Sequence, residues 1–243
     1  MALLALIDGD MIPYIVGYSP DLKDNTNKQD YYDRVDSYIQ AILDGLKTYN
    51  YIGYLSGGNN FRYKIYPEYK AGRKADKPPF FHEIMRYLID KYRFHEIIGA
   101  ECDDALALTQ SSYIVSDGVT RSVICSTDKD LKQVSGYHYN IKTFTREAVS
   151  KDEANRNLWK QVAMGDNTDN IPGITGIGKV KADKMMDQVS SDNRGRAVYV
   201  AYVARYGSTE GERLFKLNFR LVYLLRYNNH FKIPQPSNIR ELV

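Results

Sequence analysis

Residues 3–10, LLALIDGD, hold the reading on which the fold turns. A short apolar run that ends on an aspartate predicts a buried strand of a parallel sheet, closing at Asp8. The same grammar recurs at 51–55, YIGYL, and at 121–127, RSVICST, which runs into Asp128. Between these runs, YYDRVDSYIQAILDGLKTY at 31–49 sets Val35, Ile39, Ile42, Leu43 and Leu46 on one helical face. FFHEIMRYLIDKY (80–92) and DDALALTQSSYI (103–114) read as further helices, the second with acidic residues in its first turn, where the helix dipole tolerates them. Strands alternating with helices predict an α/β fold: a central, mostly parallel sheet flanked by helices.

Past residue 150 the pattern turns helical, at 155–164, 179–189, 194–206 and 210–227, and residues 228–243 read as an irregular tail. The expected organisation is an α/β core over 1–150 and a helical lobe over 151–243. No internal repeat or low-complexity tract interrupts it. The chain has 243 residues, enough for a large core, and no apolar stretch long enough for a membrane span. Its start lacks the positive region of a secretion signal. Two cysteines, Cys102 and Cys125, are too few for a disulfide framework, so both are expected as packing residues in a reduced, cytoplasmic setting. With 33 basic against 30 acidic residues the net charge says little about nucleic acid. Distribution says more: basic residues run through 62–93 and 179–232, while acidic ones gather in short clusters. The tyrosines, 21 in number, are read chiefly as packing and surface residues, with base stacking as the other use.

The clusters fall where chemistry is done. Asp8 ends the first strand and Asp10 follows it; Glu101, Asp103 and Asp104 lie in AECDDA at a helix start; Asp128 and Asp130 follow the third strand in STDKD. In open parallel sheets the ligand crevice lies outside the carboxyl ends of the strands, so these clusters should converge there. Asp166 and Asp169 add a further cluster, one turn apart if their segment is helical. Singly, each has a plainer reading as a turn, a helix cap or a polar loop. Together, so many carboxylates would raise one another's pKa unless cations neutralise them. Oxygen donors alone favour hard ions, Mg²⁺ or Mn²⁺, and two such ions serve in-line attack on a phosphodiester.

Next to the last cluster lies IPGITGIGKVKA, 171–182, with small residues for a tight turn and then Lys179 and Lys181 at a helix start. Exposed backbone N–H groups and close approach at Gly173, Gly176 and Gly178 suit a phosphate backbone held without reading sequence. Val180 after Lys179 breaks the phosphate-loop pattern. Carboxylates repel nucleic acid and this turn attracts it, which fits a cleavage site held beside a duplex grip.

The segment GDNTDNIPGITGIG resembles the GD-x-x-DNI-x-G-x-x-G-x-G segment of the flap endonuclease and 5′–3′ exonuclease family. The likeness extends, in order, through LIDGD, PEYKAGRK, ECDDALA and STDKDLKQ, over roughly residues 3–185. YPEYKAGRKADKPP is similar to the stand-alone tailed-phage branch, which would place the protein in the host cytoplasm. The resemblance implies a sheet flanked by helices, a helical arch or clamp near 61–92, and a helix–three-turn–helix DNA-binding segment over 163–189. It implies Asp8, Glu101, Asp103 and Asp128 as ligands of metal or metal-bound water, completed by Asp104, Asp130, Asp166 and Asp169. Tyr69, Lys70 and Arg73 would meet the scissile phosphate and the 5′ strand, with Arg62 and Lys64 extending the basic surface. A K⁺ ion at the glycine turn belongs to the same expectation, as do a monomeric state and substrates of DNA with free 5′ ends, 5′ flaps or RNA–DNA hybrids.

One position departs from that pattern. Where the family carries an aspartate after the second strand, this chain reads YLSGGNNFR, aligned with Gly57 in the aspartate's place. Asp10 would then compensate, or the chain would bind structured DNA without cutting it. A PIN-type ribonuclease, which shares an acidic α/β site but lacks the hairpin, ranks last. Among later residues, Lys216, Arg220 and Arg226 are candidates for a DNA-facing surface or for plain solvation.

Overall fold

The computed structural model describes residues 3–22, 27–73, 76–113 and 121–226. The expected tail at 228–243, and Lys74 and Ala75 of the basic loop, lie outside them. In chain order the elements are β1 (Leu4–Asp8), α1 (Ile12–Gly17), α2 (Lys28–Leu46), β2 (Tyr51–Ser56), α3 (Phe61–Ile65), α4 (Phe81–Tyr92), β3 (His95–Ile97), α5 (Cys102–Ser112) and β4 (Ser122–Cys125). They continue with β5 (Gly136–Asn140), β6 (Thr145–Val149), α6 (Lys151–Met164), α7 (Lys179–Asp187), α8 (Arg194–Tyr206) and α9 (Ser208–Val222).

One sheet runs in the order β3-β2-β1-β4-β5-β6, parallel throughout except for the antiparallel β5–β6 pair. Strand order reverses between β1 and β4, so the crevice of an open α/β sheet opens at the ends of those two strands. Side-chain alternation builds both faces. Ala5, Ile7, Val123 and Cys125 join α1, α2 and α4 in one core, while Leu6 and Ile124 pack against Leu106 of α5, Leu131 and Val134 in another. Each fully buried aliphatic side chain contributes about 1.5–3 kcal/mol. A third cluster gathers α6–α9 around Leu158, Val162, Met186, Val198 and Tyr202, and Tyr69 joins it from the first half of the chain.

The three strands read from sequence are present, and three more were missed. β3 is three residues long with an exposed His95 and Glu96, and β6 is exposed at four of its five positions, so neither shows an apolar pattern. α2 stops at Leu46 because Lys47 turns left-handed, at φ 53°. α9 ends at Val222, short of the expected 227: Tyr223 is extended, and the backbone beyond it bonds to side chains of the α/β core. Within 61–92, α4 is a core helix that buries Ile84 and Leu88.

Candidate active site

The sheet's reversal point delivers the acidic clusters to one cavity. Asp8, Asp10, Glu101, Asp103, Asp128, Asp130, Asp166 and Asp169 all line it, with Tyr69, Lys70 and Arg73 at one side. Asp8 comes from the end of β1 and is 2% exposed. Its Oδ2 accepts from Ser126 Oγ at 2.5 Å, and that oxygen accepts from Asp128 N at 2.9 Å, which locks the two strand ends together. Asp128 Oδ1 caps the turn that follows, accepting from Asp130 N at 2.8 Å. Glu101 and Asp103 sit at the start of α5.

Asp166 and Asp169 do not lie on a helix. Asp166 pairs with Ile171 in an isolated antiparallel bridge, and its Oδ1 accepts from Thr168 N and Asp169 N at 2.7 and 3.3 Å. Asp169 is thereby turned toward the basic side. Arg73 Nε donates to its Oδ1 at 2.9 Å, the Tyr69 hydroxyl lies 3.1 Å from its Oδ2, and Lys70 N donates to its carbonyl at 2.9 Å. Lys70 Nζ pairs with Glu101, whose other oxygen is 3.1 Å from the Tyr69 hydroxyl. Burial and Glu101 push the Tyr69 phenol well above its ordinary range.

The cavity therefore has two unlike halves. Glu101 and Asp169 are neutralised by Lys70 and Arg73. Asp8, Asp10, Asp103, Asp128 and Asp130 have no ion-pair partner among the described residues. Burial, then Asp10, pushes Asp8 up to about 7, and burial with Asp128 pushes Asp130 up to about 6. Asp10 is raised by burial, and Asp103 well above its usual range by burial and then Asp8. Asp103 also lacks a hydrogen-bond partner among the described residues. A set of clustered oxygen donors short of positive charge fits hard divalent cations. Cys102, expected as a packing residue, is buried and free, and its Sγ lies 3.6 Å from Asp8 Oδ1.

Four sequence expectations are corrected. Asp104 is not a ligand: it is 1% exposed, and its oxygens accept from Arg62 Nη1 at 2.6 Å and Nη2 at 2.9 Å. Arg62 is not part of an exposed basic surface, because it is buried in that pair and also donates to the carbonyls of Leu221 and Tyr223. Arg226 is half-buried and turned to the α/β core, where its Nη2 donates to Gln133 Oε1 at 3.0 Å. Gly57 is not the vacant place of an aspartate. A Cβ there would meet Ile98 Cδ1 at 2.6 Å and the Ile97 carbonyl at 2.7 Å, whereas its neighbour Ser56 lines the cavity. Of the remaining basic candidates, Lys64 is exposed, Lys216 pairs with Glu212 on the surface of α9, and Arg220 is half-buried.

The glycine turn joins α6 to α7. Gly173, at φ 60°, is buried against Met164 and Gly165 and its N–H faces Asn218 Oδ1 at 3.3 Å, so it shapes the turn and cannot meet a phosphate. Gly176 (φ 84°) and Gly178 are exposed with open space where a side chain would stand. Lys179 and Lys181 are exposed at the start of α7, and Lys181 Nζ donates to the Gly176 carbonyl at 2.8 Å. Lys179 shares a second groove with Lys129, Lys132 and Lys160, which adjoins the acidic cavity through Asp130, Gln161 and Asp166. Those three lysines were missed, although DKDLK beside the acidic cluster carried a signal for Lys129 and Lys132.

Residues 3–161 match the family model described as 5′-3′ exonuclease, N-terminal resolvase-like domain. DNA polymerase I of Bacillus caldotenax is 28% identical over 206 residues, which cover 76% of this chain and 23% of that protein, so the chain spans about a quarter of that relative's length. Flap endonuclease Xni of Shewanella loihica is 28% identical over 183 residues, covering 68% of this chain and 69% of the relative. The solved structure of the T5 D15 protein, co-crystallised with metal ions, shares the fold with a TM-score of 0.67 at 22% identity, over 91% of this chain and 89% of that one. No described helix is long and apolar enough to cross a membrane. Since the matched region takes in most of the chain and every strand of its sheet, the chain belongs to the 5′–3′ exonuclease family through the N-terminal resolvase-like domain.

Proposed function

We propose that the chain is a metal-dependent, structure-specific 5′ nuclease that hydrolyses DNA phosphodiesters near free 5′ ends and single-strand/duplex junctions. The observation that carries this reading is the half-cavity of carboxylates with no protein cation, set beside a half where Lys70 and Arg73 are gathered. Asp8, Asp103, Asp128 and Asp130 would hold divalent cations, Mg²⁺ or Mn²⁺, with Asp166 at the rim. Two such ions, when bound, supply an activated water and stabilise the departing oxygen. Lys70 presents its ammonium to the charge that builds on the scissile phosphate, and Arg73 and Tyr69 orient it. Glu101 and Asp169 keep those three groups in place until a phosphate displaces them.

The exposed N–H groups of the turn at Gly176 and Gly178, with Lys179, would grip the duplex by its backbone as part of a helix–three-turn–helix segment over 163–189, within the helical lobe expected over 151–243, of which residues 151–226 are described. A K⁺ ion at this turn belongs to the same proposal and would compete with Lys181 for the Gly176 carbonyl. Action on RNA–DNA hybrids, a monomeric state and work in the cytoplasm complete the reading. The rival reading, a DNA-binding protein without catalysis, rested on Gly57, where a side chain would run into Ile98 and the Ile97 carbonyl.

The test is cleavage of a 5′-labelled flap and a blunt duplex with Mg²⁺, Mn²⁺ or EDTA. Cleavage that needs the cation and yields a 5′-phosphate is the expected result, and Gly57→Asp should lower stability without raising activity. Cation-independent cleavage, or tight binding of the flap with no cleavage under any cation, would overturn the proposal. A Gly178→Val, Lys179→Ala, Lys181→Ala variant should weaken duplex binding and flatten its salt dependence by about two units of slope.

A further inference from the structure

Four places around the cavity contribute carboxylates: the end of β1, the start of α5, the turn after β4 and the loop at Asp166 and Asp169. The end of β2 also reaches the cavity and contributes only Ser56. Its hydroxyl is occupied, accepting from Cys102 N at 2.9 Å and so capping the start of α5. The next residue is no substitute, because a side chain at Gly57 would run into Ile98 and the Ile97 carbonyl.

The register explains what fills this corner. β1 and β2 are parallel, with Asp8 opposite Tyr54. Two residues further along each strand, Asp10 and Ser56 leave the paired region side by side, and Ser56 N donates to Asp10 Oδ1 at 2.8 Å. A carboxylate carried on either chain therefore enters the cavity at the same corner. Asp10 lines the cavity next to Asp8, and no Lys or Arg among the described residues forms an ion pair with it. Lys70, whose charge favours the ionised form of Asp10, is committed to Glu101 and lies 3.9 Å from Asp169.

We propose that Asp10 is a working member of the cation-binding set, supplying from β1 the carboxylate that β2 lacks. The proposal rests on the reading of this cavity as a divalent-cation site. It places the charge of the β1–β2 corner on the β1 side, beside a β2 end that could carry it equally. Position and charge are then separable by exchange.

Titration calorimetry with MnCl₂ alone, on the parent chain, D10N and D10N/S56D, tests this without substrate. Asn keeps an oxygen to accept from Ser56 N, so D10N should unfold in EDTA at or above the parent's temperature. D10N is expected to weaken one Mn²⁺ site by about tenfold or more, and D10N/S56D to return to within about threefold of the parent. An unchanged Mn²⁺ affinity in D10N overturns the proposal alone. A double variant that unfolds at the parent's temperature yet binds Mn²⁺ no better than D10N overturns it too. A parent chain that binds no Mn²⁺ overturns the nuclease reading, and this proposal with it.

Discussion

Asp103 and Asp104 are adjacent on the first turn of α5 and meet opposite fates. Successive helical residues point about 100° apart, since a turn takes about 3.6 residues. Asp103 consequently faces the cavity, where burial, Asp8 and Asp128 push its pKa well up. Asp104 faces inward to Arg62, whose guanidinium outweighs the burial and holds the carboxyl below its usual range. It also accepts from Leu225 N and Glu101 N, both at 3.1 Å. One carboxylate is compensated by the fold and serves the fold. The other has no cation of the protein beside it, so a proton or a bound cation can settle its charge.

The sharpest way to break this contrast is to remove the compensation. Arg62→Met should destabilise the protein by about 3–5 kcal/mol, because it strands Asp104 in a dry site. Arg62 also bonds the carbonyls of Leu221 and Tyr223 at 2.8 and 3.1 Å, so amide exchange should rise first in the segment after α9. Arg62→Met with Asp104→Leu should recover most of the loss, since an apolar pair of similar volume can replace a buried ion pair at little cost. Urea unfolding measures both. A single variant within about 1 kcal/mol of the parent would show that Asp104 is not held by charge.

The difference between these neighbours also marks how far the sequence could be read. The strands that lead to Asp8 and Asp128 were legible because a run buried on both faces has to be apolar. The convergence of the acidic clusters followed from strand ends sharing one edge. Which acid faces which way was not legible, because AECDDA offers identical side chains on consecutive positions. Arg62 shows the same limit: its motif neighbour Lys64 is exposed, and only the path of residues 221–226 makes Arg62 a buried partner. At the end of β2 Ser56 lines the cavity, whereas a side chain one residue later, at Gly57, would run into Ile98, a difference that YLSGG does not show. β6 escaped because a surface strand in a hairpin needs no apolar alternation.

Acidity sharpens the comparison at intermediate size. Asp8 rises from an ordinary 3.8 to about 7 in the folded protein and Asp130 to about 6. Between those values the folded chain holds more protons than the unfolded one, so stability falls as pH rises through that window. Freed of cations with EDTA, the protein should melt several degrees higher at pH 5 than at pH 8, at about 2–4 °C per kcal/mol for a chain of this size. Mg²⁺ or Mn²⁺ should raise the melting temperature strongly at pH 8 and little at pH 5, where protons already occupy the site. Asp104 has the opposite sign: its lowered pKa contributes stability that is fully present above 3.8 and is lost only as pH falls below that value, outside this window. A melting temperature in EDTA that climbs from pH 5 to pH 8 would contradict the uncompensated half-cavity.

The smallest effect separates the two residues most cleanly. Asp103→Asn removes a charge that the metal-free fold does not neutralise, so in EDTA at pH 8 it should stabilise the protein by about 1 kcal/mol. Asp104→Asn removes a charge that Arg62 needs and should destabilise it under the same conditions. The signs are opposite although the substitution, the helix and the turn are the same. Cation binding reverses the order: Asp103→Asn should weaken Mn²⁺ binding, whereas Asp104→Asn should leave it near the parent's value once the folded fraction is accounted for. A shared sign in EDTA would mean that the two carboxylates feel one environment, and the division between a structural and a cation-holding acid on α5 would fall with it.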